Sequence, residues 1–122
     1  MKPLPLSPEA YGLRREELLR RNPHVTVGAA ALRYEKENCR CFGGDLYAVG
    51  AGIAAAYLDE GETRIRELLA PAGERVHELA AALGAYLGTE RVLLLSAAAE
   101  GQPYLAAEVP LPPDLIWNLT LD

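Results

Sequence analysis

Residues 46–58 read LYAVGAGIAAAYL, the longest apolar run of the chain, and no other stretch limits its possible folds as much. Taken as one strand from Asp45 to Leu58, the run divides by the two-residue period of extended chain. Tyr47, Val49, Ile53 and Tyr57 fall on one side, alternating with Ala48, Gly50, Gly52, Ala54 and Ala56 on the other. One face is bulky and the other small, yet both are apolar. The small face admits a helix at close range. The bulky face then needs a different cover, because a soluble monomer seldom leaves a large apolar patch in water. The cover this predicts is a second copy of the chain, related by a two-fold axis.

Gly50-Ala51-Gly52 followed by Ala55 also invites comparison with the glycine fingerprint of a dinucleotide site. That fingerprint needs a strand, a tight turn and a helix whose N-terminus receives a pyrophosphate. Here the candidate helix IAAAYLDEG would run for under two turns before Asp59-Glu60-Gly61 ends it. No later strand presents an acidic residue to a ribose, as the motif requires. The strand reading is preferred.

The rest of the chain supplies the partners of that strand. Met1–Leu6 (MKPLPL) predicts an extended arm, since its two prolines lack amide donors. Ser7-Pro8 opens a helix with a hydroxyl cap and a first-turn proline, and Asn22-Pro23 closes it. HVTVGAAALRY (24–34) alternates as a strand, and EKENCRCFGG follows as a polar loop. From Glu62 the apolar residues Ile65, Leu68, Leu69, Val76, Leu79, Ala80, Leu83, Tyr86 and Leu87 recur at steps of three and four. That spacing predicts one long helix, kinked near Ala70 by Pro71 and Gly73 and ended by Gly88. RVLLLSAAA (91–99) and residues 104–111 are read as two further strands. DLIWNLTLD (114–122), with Leu115, Trp117, Leu119 and Leu121 on one face, is read as a fifth strand or an arm on a neighbouring subunit.

The expectation is therefore a single α+β domain over residues 1–122. It is a two-layer α/β sandwich in the order α-β-β-α-β-β-(β), with a mostly antiparallel sheet of four or five strands and one long, kinked helix on one face. With half of 122 residues apolar, the chain has enough material for one core. A net charge of −5 argues against nucleic acid as a partner, because phosphate backbones call for clustered Lys and Arg. No run reaches membrane-span length and the N-terminus lacks a signal-peptide core, so a soluble, cytoplasmic protein is expected.

Candidate chemistry is sparse. Cys39-Arg40-Cys41 is the only cysteine pair, and Arg40 beside a thiolate makes a reactive thiol conceivable. A zinc site would need two more ligands, and His24 and His77 stand far apart in the sequence. Glu74 and Glu78 lie one turn apart on the expected helix, and Ser96 sits in an apolar strand without a nucleophile elbow. No cofactor or metal is assigned, and no acid–base–nucleophile set with motif-like spacing marks an enzyme. The reading is a non-catalytic dimeric module for protein interaction, accessory function or assembly, whose partners are itself and another protein. Its expected interface is Tyr47, Val49, Ile53, Tyr57, Leu115, Trp117 and Leu119. The alternative is a small enzyme or ligand-binding domain with an intersubunit pocket built from Cys39, Cys41, the histidines and tyrosines such as Tyr86 and Tyr104. Tyrosine, with an apolar ring and a polar tip, suits such rims.

Overall fold

The arm ahead of the first helix is a short strand, β1 (Leu4–Pro5), and the helix α1 (Pro8–Leu19) starts where hydroxyl and proline chemistry place it. Ser7 is extended, and its side-chain oxygen accepts the Ala10 N–H at 3.1 Å. The computed structural model describes residues 2–20, 26–95, 97–99, 102–104 and 115–117. The helix stop at Asn22-Pro23, His24, Ser96, Leu119 and most of the strand expected at 104–111 lie outside the described residues.

The expected first long strand is instead a helix. α2 spans Ala29–Cys41, with Gly28 as an extended N-cap. Val25-Thr26-Val27 alternates as a strand would, but Ala29-Ala30-Ala31-Leu32 are strong helix formers and outweigh it. Leu32 and Cys39 bury the inner face, with Glu35 and Lys36 between them at helical spacing. The loop expected at residues 35–41 is thus the second half of a helix.

The apolar run at 46–58 is a hairpin, β2 (Asp45–Val49) and β3 (Gly52–Asp59), with Val49 opposite Gly52. Gly50 has φ 56° and is the first of two turn residues, the position a type II′ turn reserves for glycine. The turn reverses the side-chain parity assumed for one continuous strand. Tyr47 and Val49 therefore join Ala54 and Ala56 in one core cluster, while Leu46, Ile53 and Ala55 join the other. Neither the dinucleotide reading nor the single-strand reading describes Gly50-Ala51.

β4 (Glu62–Ala70) replaces the first half of the expected long helix. Its pairing with β3 shifts by one residue: Ala56 faces Ile65, but Ala55 faces Glu67. Arg66 is the extra residue of a β-bulge. One inserted residue turns a period of two into a step of three, so Ile65 and Leu68 share a face. A bulged strand thereby imitates helical spacing. The helix that remains, α3 (Val76–Leu87), ends at Gly88 in the left-handed region with φ 80°, as expected.

After α3 the chain returns as β5 (Val92–Leu94), β6 (Ala97–Ala99), β7 (Gln102–Tyr104) and β8 (Leu115–Trp117). The strand order is β1-β2-β3-β4-β5-β8, with β6 beside β4 and β7 beside β6. β1 to β4 pair antiparallel, whereas β4–β5, β4–β6 and β5–β8 are parallel. The α+β class holds, with three helices on a mixed rather than mostly antiparallel sheet. The segment 115–117 is a strand of the same sheet.

The layering departs most from expectation. α3 packs with Tyr47, Val49, Ile65, Leu68 and Leu94 on one face. α1 and α2 cover the other face through Tyr11, Leu18, Leu19, Leu32 and Cys39, packed on Leu46, Ile53 and Leu69. Helices thus lie on both sides of the sheet. Among the described residues, Tyr47, Val49 and Ile53 of the expected interface are buried within the subunit and Tyr57 is half-buried, so they do not form the open apolar face on which a second copy was expected.

Candidate functional site

The bulge in β4 determines what lies under α1 and α2. Consecutive strand residues ordinarily point to opposite faces, but here Arg66 and Glu67 both line the groove between the helix pair and the sheet. Glu67 is on the floor. It accepts the Tyr11 O–H at 2.8 Å and the Arg15 Nε–H at 3.1 and 3.2 Å. Tyr11 and Arg15 stand four residues apart on α1 and so project from one helix face. Burial, then the charge of Glu67, pushes the Tyr11 phenol well above its ordinary value. It remains a neutral donor.

Arg66 turns toward α2, where its Nε lies 3.1 Å from Glu35 Oε1. This ion pair stands between two chambers of one groove. The larger, of about 560 Å³, is lined by Arg15, Val27, Leu32, Tyr34, Ala55 and Glu67 among others. The smaller, of about 240 Å³, is lined by Asn38, Cys39, Phe42, Tyr57 and Asp59. Glu35 and Arg66 belong to both walls. Phe42 and Tyr57 pack as a tilted aromatic pair with centroids 6.1 Å apart. The groove therefore combines apolar walls with a few convergent polar groups, the usual make-up of a small-molecule site.

Of the residues singled out from the sequence, Tyr57 and Cys39 reach this groove. Cys39 and Cys41 are two positions apart on a helix rather than in a loop, so they point in nearly opposite directions. Cys39 is buried and Cys41 exposed. Burial, reinforced by the Glu35 carboxylate, pushes the Cys39 thiol from 9.0 to about 12. It is a packed thiol whose burial favours the protonated form, which does not suit it to the reactive role the sequence left conceivable. Among the described residues, no group of three His, Cys, Asp or Glu side chains could hold a metal ion. Glu74 and Glu78 do not pair: Glu74 accepts the Ala51 N–H at 3.0 Å, and Glu78 lies 3.6 Å from Arg75. Tyr86 stacks edge-on against Tyr47 at 5.8 Å, away from the groove, and His77 lies in the first turn of α3. Leu115 and Trp117 belong to β8, beside β5.

Sequence reasoning gave no site role to Tyr11, Arg15, Glu35, Arg66 or Glu67, and saw Tyr11 only as part of the apolar stripe of the first helix. The available signals were weak: an i, i+4 Tyr–Arg pair on α1, and adjacent opposite charges in a stretch otherwise apolar. Compared with family models, curated proteins and solved structures, the chain finds no match in any of the three. Among the described residues no helix is long and apolar enough to cross a membrane.

Proposed function

We propose that this chain is a small-ligand-binding α/β domain whose site is the groove between the α1–α2 pair and strands β3 and β4, without covalent chemistry of its own. One observation carries the reading: an extra residue in β4 sets Arg66 and Glu67 together inside a groove of ligand-sized volume, about 560 Å³ in its larger chamber. Bulges redirect side chains and gather beside functional sites. The pocket lies within one subunit, so binding needs no second copy. Its polar groups suit recognition better than catalysis. Glu67 is held by Tyr11 and Arg15, and the only thiol on the wall is protonated.

The competing module for protein interaction retains a different surface from the one first expected. Leu13, 76 % exposed on α1, belongs to that surface alone, whereas the exposed Tyr34 and Phe42 also border the groove. Thermal denaturation against a library of small metabolites distinguishes the two. A true ligand at one hundred times its dissociation constant adds about 2.7 kcal/mol to stability. Ala31, exposed on α2 and lining the larger chamber, gives the control. Ala31→Trp fills the groove and should abolish the shift. A library that stabilises the wild type and Ala31→Trp equally would refute the reading.

A further inference from the structure

Arg66 is the groove residue whose bonding capacity the fold leaves most open. Its Nε forms an ion pair with Glu35 at 3.1 Å, and among the described residues its terminal nitrogens make no hydrogen bond. The side chain is 41 % exposed, on the wall common to both chambers. Neighbouring cations are committed elsewhere. Arg15 lies on Glu67, Lys36 on Asp45 and Arg64 on Asp59. A guanidinium ion-paired on its Nε side still presents its terminal nitrogens as a planar fork, which fits the two oxygens of a carboxylate.

The surrounding wall narrows the class of ligand further. Phe42 and Tyr57 offer aromatic surface a short way from the fork, and the Asn38 side chain adds an amide. Glu35, Asp59 and Glu67 also line the groove, against Arg15 and Arg66. Asp59 is paired with Arg64, and Glu35 and Glu67 against Arg66 and Arg15 leave no surplus of positive charge. One negative charge can dock on the fork, and a second would meet carboxylates.

We propose that the groove binds a small organic monocarboxylate, its charge on the Arg66 fork and its apolar or aromatic body against Phe42 and Tyr57. This rests on the groove being a ligand site, and deepens that reading by naming what it takes. Arg66 is a specificity-determining residue; Glu35 positions its guanidinium.

Amide chemical-shift titration with three probes of one shape tests it: benzoate, benzamide and benzylamine. Benzoate is expected to shift the amides of Asn38, Phe42, Tyr57 and Arg66. Arg66→Gln should weaken benzoate about tenfold, the size expected for a charge-assisted pair. Its benzamide affinity should stay unchanged. Arg66→Lys keeps the charge without the fork and should lie between the two, and it serves as well if Arg66→Gln folds poorly. Benzamide or benzylamine binding there while benzoate does not would overturn the carboxylate assignment and leave the groove reading standing. Unchanged benzoate affinity in both variants would overturn it too. Silence from all three probes at those amides would overturn the assignment and count against the groove itself.

Discussion

Arg66 and Glu67 are neighbours in sequence on a β-strand and yet serve the same face of the sheet, one reaching α2 and the other α1. The shift from Ala56–Ile65 to Ala55–Glu67 pairing produces this arrangement. Through it a single backbone irregularity ties both helices to the sheet and opens polar ground inside an otherwise apolar layer.

Glu67 should therefore matter to stability. Glu67→Ala takes away the acceptor of the buried Tyr11 hydroxyl and one of the partners of the Arg15 guanidinium, which keeps Glu16. We expect a loss of about 2 kcal/mol in urea unfolding, the usual cost of stranding one buried donor and losing a charged hydrogen bond. Adding Tyr11→Phe should cost less than its effect in the wild type, because one stranded donor disappears. Strict additivity would contradict the coupling.

Lys36 and Asp45 form the second tie between α2 and the sheet. Lys36 Nζ donates to Asp45 Oδ1 at 2.6 Å and to the Leu6 carbonyl at 2.9 Å, joining α2, β2 and the chain just after β1. Both side chains are largely buried, 19 % and 13 % exposed. Asp45→Ala should destabilise by about 2 kcal/mol, and proteolysis should then release the N-terminal arm first. Equal protection of that arm in both proteins would count against the tie.

Gly44 fails for a different reason. A Cβ there would stand 1.8 Å from the Ala56 carbonyl oxygen, which is backbone and cannot move aside. Gly44→Ala should cost about 3 kcal/mol or more, the upper range for overpacking. A melting temperature within two or three degrees of the wild type, roughly half a kcal/mol for a domain of this size, would show that the backbone yields.

Much of this was beyond reading from the sequence, for reasons specific to each segment. The Ser7-Pro8 start of α1 and the Gly88 end of α3 were legible because capping is local. Gly50-Ala51 was not: with small residues throughout 48–56, nothing separates a two-residue turn from continuous strand until the pairing of Val49 with Gly52 is seen. Ile65, Leu68 and Leu69 misled because the extra residue in β4 copies helical spacing. The groove was hidden most completely, since Tyr11 and Glu67 are 56 positions apart and only the layering brings them together.

The buried acids of the core predict how the protein responds to alkali. Burial, then Glu35, carries Cys39 from 9.0 to about 12; burial, then Asp45, carries Tyr47 from 10.0 to about 12; Tyr11 is also raised. Each folded value exceeds the unfolded one, so the folded state retains protons that the unfolded state releases. Stability from these groups is complete below about pH 9 and declines as the pH climbs from 9 toward 12. Chemical denaturation at stepped pH checks this, and a flat profile across that window would contradict it. At neutral pH a shift from 9.0 to about 12 lowers the Cys39 thiolate roughly a thousandfold, so iodoacetamide should modify exposed Cys41 and spare Cys39 in the folded protein.

The most direct test of the groove as a ligand site is a crystal structure after soaking with a mixed set of acidic, neutral and basic fragments. The account predicts fragment density between α2 and β4, within hydrogen-bonding distance of Arg66 and over Phe42 and Tyr57. Density confined to other surfaces, with that groove filled only by solvent at saturating fragment concentration, would contradict it.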